Sequence, residues 1–85
     1  MTNNIPVQPA NSFRVTITLD YGADRMDSIL LNELKRQNDN AKYKTISRSA
    51  LKTMFLDGKI TIKGQRAKPS SSLAKGVTYI DILES

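Results

Sequence analysis

From Phe13 to Leu19 the chain alternates strictly, with Phe13, Val15, Ile17 and Leu19 on one side and Arg14, Thr16 and Thr18 on the other. A period of two built from β-branched and aromatic residues predicts a half-buried strand. Tyr21-Gly22-Ala23 interrupts it, and the period then lengthens. Met26, Ile29, Leu30 and Leu34 recur at helical spacing and make one apolar stripe. Asp24 suits the cap of that helix, and Asp27 places a second carboxylate in its positive first turn. The stripe stops before Gln37-Asn38-Asp39-Asn40, so the helix should end near Gln37. Residues 38–45 are polar and predict an exposed loop carrying Lys42, Tyr43 and Lys44.

A second helix has a sharper start. Ser47 can cap it, while Ile46 ahead of the cap and Leu51 one turn in form a hydrophobic staple. Leu51, Met54 and Phe55 are its buried stripe, and Gly58 suits a left-handed residue just past its end. A β-region follows. Ile60-Thr61-Ile62 alternates, Lys63-Gly64-Gln65 makes a tight turn, and Arg66-Ala67-Lys68 pairs back weakly. Pro69 and three serines link to a turn at Gly76, and Val77 to Leu83 forms the last strand, with Ile80 and Ile82 pointing inward. The pattern predicts one α+β domain over residues 13–85 with the order β-α-α-β-β-β. Two helices pack on a small, mainly antiparallel sheet, preceded by a flexible tail over residues 1–12 that is rich in Asn, Gln and Pro.

Composition narrows the chemistry. Eighty-five residues allow one thin core. With no Cys and no His, disulfides, thiolate nucleophiles, an imidazole base and the usual zinc shell are all removed. No serine has an evident base beside it. The glycines sit where turns need them, and none forms a phosphate loop ahead of a helix. The chain therefore reads as neither an enzyme nor a metal or cofactor protein. No apolar run spans a bilayer, and Met1 to Ser12 lacks the features of a secretory signal, so a cytoplasmic setting is the expectation.

Charge adds a direction. Residues 25–75 hold twelve cations against four acids, a net of +8 within a chain of net +5. Such a concentration suits a polyanion, or it serves as a solvated surface. It is densest where Ser47-Arg48-Ser49 opens a helix and Lys52 follows one turn later. A helix start offers N–H groups and partial positive charge to an anion, and Arg48 can grip a phosphate with two parallel hydrogen bonds. The candidate binding residues are Ser47, Arg48, Ser49, Lys52, Lys59, Lys63, Arg66 and Lys68. Tyr43 has two readings, stacking on a base or covering the core.

The series Arg25-Met26-Asp27, Ser47-Arg48-Ser49, Asp57-Gly58, Ile60-Thr61-Ile62-Lys63-Gly64 and Lys68-Pro69-Ser70 resembles, in order and spacing, the S-four RNA-binding domain, also called the alpha-L motif. The likeness covers residues 25–83. With the strand Phe13–Leu19 ahead of it, the chain is most similar to the N-terminal domain of large pseudouridine synthases acting on ribosomal RNA. The resemblance implies a module that docks on structured RNA, either inside such an enzyme or as a free-standing ribosome-associated protein. Departures from the family pattern are Met26 for Leu, Lys63 for Asn, Val77 for Asp, and a longer segment between Gln37 and Ile46. Rival readings are a module that meets an acidic protein and, more weakly, attachment to an anionic membrane, for which the large apolar anchors are lacking. A monomer is assumed.

Overall fold

A computed structural model describes residues 5 and 7–84. Strand β1 (Ser12–Leu19) leads through helix α1 (Met26–Arg36), the short helix α2 (Ala41–Lys44) and helix α3 (Arg48–Leu56) to β2 (Ile60–Ile62), β3 (Gln65–Arg66) and β4 (Gly76–Leu83). The strands form one antiparallel sheet in the order β1-β4-β2-β3. The last strand thus lies inside the sheet. It pairs with β1 along its whole length, from Ser12↔Leu83 to Leu19↔Gly76, and with β2 on its other side through Ile60↔Ile82 to Ile62↔Ile80.

Residues opposite one another in a ladder share a face. Val15 and Ile80, with Ile60 and Ile82, make the buried face and meet Met26, Leu30 and Leu34 of α1 and Leu51 and Phe55 of α3 in one core. The other face is polar but not uniformly open. Arg14 lies opposite Asp81, whose side chain is only 1% exposed, and grips it with Nε and Nη2 at 2.7 and 2.9 Å. Thr61, buried on the other side of Asp81 in the ladder, donates its hydroxyl to the Asp81 carbonyl oxygen at 3.3 Å. The Arg14 guanidinium also sits 5.3 Å from the centre of the Tyr79 ring.

Two expectations are corrected. Residues 38–45 are not wholly an exposed loop, because Asn40 caps α2 by accepting the Lys42 N–H at 3.1 Å and thereby turns Tyr43 inward. The Tyr43 ring stacks on Phe13 with centroids 5.5 Å apart, and its hydroxyl donates to Glu84 at 3.0 Å. Of its two readings, Tyr43 therefore takes the core one. Nor does Asp24 cap α1. Arg25 occupies that position without a side-chain cap, and Asp27 accepts the Ser28 N–H at 2.9 Å within the first turn.

At α3 the expected devices are present. The Ser47 hydroxyl oxygen accepts the Ala50 N–H at 3.0 Å, Ile46 packs half-buried against the core, and Leu51 is fully buried. At the far end Gly58 has φ 75°. Its N–H donates to the Phe55 carbonyl, and the Lys59 N–H donates to that of Met54 at 3.0 Å. This paired closure requires a left-handed residue, which glycine adopts without steric cost.

Of the expected N-terminal tail, residues 1–4 and 6 lie outside the described residues, as does Ser85 at the other end. Just before β1, the Ser12 hydroxyl donates to the Pro9 carbonyl and the Asn11 carbonyl accepts the Glu84 N–H at 2.8 Å. Among the described residues no helix is long and apolar enough to cross a membrane.

Candidate nucleic-acid interface

The first N–H groups of a helix have no partner within the helix and must find one elsewhere. In α1 that partner comes from far along the chain. The Pro69 carbonyl accepts the Asp27 N–H at 3.1 Å, and the Ser71 carbonyl accepts the Met26 N–H at 3.0 Å. The segment Lys68–Ser71 is held in a turn by its own bond from the Ser71 N–H to the Lys68 carbonyl, and thus closes over the start of α1. The start of α3 is different. Ser47 satisfies Ala50, but among the described residues no hydrogen bond engages the backbone N–H groups of Arg48 or Ser49. One helix start is shut by backbone; the other faces outward.

The two starts adjoin. Arg25 forms two hydrogen bonds to the Asp27 carboxylate, at 3.2 and 3.0 Å. Arg48, from the other helix, brings Nη1 to 3.8 Å from the same carboxylate and 3.4 Å from the Ser28 hydroxyl. Asp27 thus stands between two guanidinium groups. Its carboxyl is held below the ordinary aspartate range, chiefly by the Arg25 hydrogen bonds, then by the Ser28 N–H and the charges of both arginines, against the opposing effect of burial. Arg25 is correspondingly raised by its bond to Asp27.

Around this cluster lies a groove of about 230 Å³ lined by Arg25, Asp27, Arg48, Leu51, Lys52 and Pro69. Leu51 and Pro69 give it an apolar lining, while three cations outnumber one acid at its walls. The arginines remain 62% exposed, so their guanidinium groups are available to an outside anion while Asp27 steadies them. Arginine's planar fork suits phosphate oxygens, and the exposed α3 start adds the backbone N–H groups of Arg48 and Ser49. Chemically, the arrangement can take phosphate oxygens of a nucleic-acid backbone at its cations. Among the described residues no cluster of three or more acidic side chains could hold a metal ion.

The candidate residues separate into two groups. Ser47, Arg48, Ser49 and Lys52 lie together and exposed on the first turns of α3, and Lys68 adjoins Pro69 at the groove edge. Lys59, Lys63 and Arg66 belong elsewhere. Arg66 donates to the carbonyl of Leu56, the last residue of α3, so its guanidinium lies about 12 Å along the axis from Arg48, at 1.5 Å per residue. Lys59 is half-buried in the closure of α3, and Lys63 sits in the β2–β3 turn. Arg25 is the groove cation that the sequence reading leaves out of the candidates. Its signal, a cation immediately ahead of a helix within the Arg25-Met26-Asp27 run, is weak without knowing that α3 starts beside it. No family model, curated protein or solved structure matches the chain.

Proposed function

We propose that this chain is an RNA-binding module of the S-four, or alpha-L, type, which holds the phosphate backbone of structured RNA at the groove between α1 and α3. The observation that carries the reading is the convergence of Arg25, Arg48 and Lys52 on one groove beside an open helix start. Residues separated by more than twenty positions meet there, and Arg25, Arg48 and Pro69 of its lining come from three of the motifs that resemble the family: Arg25-Met26-Asp27, Ser47-Arg48-Ser49 and Lys68-Pro69-Ser70. Few side chains in the groove could read base edges, which favours recognition by shape. Double-helical RNA is recognised in that way because its deep major groove admits no side chains. Ribosomal RNA is the proposed target, with the module either free-standing or docking a pseudouridine synthase, and no chemistry is assigned to the module itself.

The test is a salt titration of binding to a structured ribosomal RNA fragment, with duplex DNA and an acidic protein as competitors. Preference for RNA, steep loss with salt, and loss on Arg48→Glu are the expected results. Equal binding of DNA, or retention of affinity by Arg48→Glu, would overturn the reading. Capture of the acidic protein in place of RNA would favour the rival interaction module.

A further inference from the structure

A second concavity lies where β2 stops at Ile62 while β4 continues to Gly76, beyond the Pro69–Ser71 segment that closes the start of α1. The β2–β3 turn stands on one side and the chain leading into β4 on the other. They enclose a cavity of about 440 Å³, within the span of about 300–1,000 Å³ typical of small-ligand sites. Its lining includes Ile62, Leu73 and Val77, the cations Lys63 and Lys75, and Tyr79. No Asp or Glu lines it, in contrast to the α1–α3 groove with Asp27.

Three features of this site go beyond surface charge. Lys63 and Lys75 are both exposed, lie on separate segments and border the same space, so an anion between them meets two positive charges with no competing carboxylate. Lys63 is held at φ 53° ahead of Gly64 at φ 76°, a two-residue turn that favours Asn, Asp or Gly in its first position. A lysine stands there despite the backbone cost, which motivates a role for its side chain. Tyr79 supplies an aromatic ring beside apolar walls, with the Arg14 guanidinium 5.3 Å from its centre. Cations bordering an aromatic platform are the elements by which single-stranded nucleic acid is held, the phosphate by charge and the base by stacking.

We propose that this cavity takes one unstacked nucleotide of the RNA strand, with its phosphate between Lys63 and Lys75 and its base against Tyr79. The inference rests on the RNA-binding reading and adds a site for single-stranded RNA, distinct from the α1–α3 groove. The ligand chemistry is that of a nucleoside phosphate, and the test separates a strand from a free nucleotide.

The experiment is a titration of ¹⁵N-labelled protein with single-stranded pentauridylate, with UMP, and with a structured ribosomal RNA hairpin, following backbone amide shifts. Pentauridylate should move the amides of Lys63, Leu73, Lys75 and Val77, and Lys75→Glu should weaken it by about tenfold, as expected for losing a phosphate contact. Lys75 is exposed, so this variant keeps the fold; Tyr79→Leu, checked by its amide spectrum, should weaken pentauridylate by a similar factor through lost stacking. Shifts confined to Arg25, Arg48 and Lys52, or affinity unaffected by both variants, would overturn the cavity while leaving the RNA reading intact. UMP binding as tightly as pentauridylate would make the occupant a free nucleotide and overturn its assignment to a strand. If none of the three ligands moves an amide, both readings fall.

Discussion

Neutralising Arg48 gives the most direct measure of the groove. Arg48→Gln keeps a helix-compatible side chain at the first position of α3 and removes one charge. Its ion pair with Asp27 is long, at 3.8 Å, Arg48 itself is largely exposed, and Asp27 keeps its two hydrogen bonds from Arg25, so the change should leave stability nearly unaltered. If Arg25, Arg48, Lys52 and Lys68 each neutralise one phosphate, log K should fall with log salt at a slope of about −3.6 for a duplex RNA, taking roughly 0.9 per phosphate. Between 50 and 200 mM salt that slope weakens wild-type binding about 150-fold; with three contacts the slope becomes about −2.7 and the loss about 40-fold. Filter binding or fluorescence anisotropy at four salt concentrations resolves the two slopes. A variant with the wild-type slope would show that Arg48 contacts no phosphate, even if its affinity were lower. The charge-reversed Lys59→Glu provides a contrast, since Lys59 lies half-buried in the closure at the far end of α3.

Three further outcomes follow from the geometry. Arg14→Ala leaves the Asp81 carboxylate buried without its bidentate partner and should cost about 3–5 kcal/mol in urea denaturation, whereas replacing both by Leu should recover much of that loss. Equal destabilisation by the single and double changes would contradict an electrostatic origin. Lys63→Asn relieves a left-handed lysine and should raise the unfolding free energy by about 1 kcal/mol; an unchanged midpoint would show that the turn carries no such strain. Asp27 has a depressed folded value, so its contribution is complete above the ordinary aspartate range near 3.8 and is lost as pH falls through the folded value. Thermal melts on acidification should therefore show less acid destabilisation in Asp27→Asn than in wild type over that window, and parallel curves would refute the linkage.

The parts of the fold that were legible in the sequence are those written in local periodicity. The alternation of Phe13–Leu19, the stripes at Met26–Leu34 and Leu51–Phe55, the Ser47 cap and the Gly58 closure each depend on residues within a few positions of one another. The misses share the opposite property. Helix α2 has four residues and one apolar side chain, Tyr43, too few to establish a period; it forms because Asn40 caps it and Phe13 and Glu84 receive the tyrosine. The start of α1 is closed by carbonyls from Pro69 and Ser71, more than forty positions away, so a favourable local cap such as Asp24 gave the wrong boundary. The site divides in the same way. Arg48 and Lys52 could be placed together by helical spacing. Their meeting with Arg25, and their separation from Arg66, depend on how helices and loops pack, which no spacing in the chain encodes.

The central place of β4 also bears on how the domain assembles during synthesis. When translation has reached Pro69, β1, both long helices and the β2–β3 hairpin exist as chain, but the strand that joins β1 to β2 does not. Val15 and Ile17 on one side and Ile60 on the other still lack the Ile80 and Ile82 surface they are built to meet. The start of α1 is also incomplete until Pro69 and Ser71 arrive to accept its N–H groups. Contacts of such wide sequence separation are slow to form and give little return until the chain closes on itself. The nascent segment therefore carries exposed apolar surface and an unsatisfied strand, the conditions under which chains associate wrongly. Once Gly76–Leu83 is made, a single insertion completes both ladders and the core together, so the domain should fold as one late, cooperative event with no stable half.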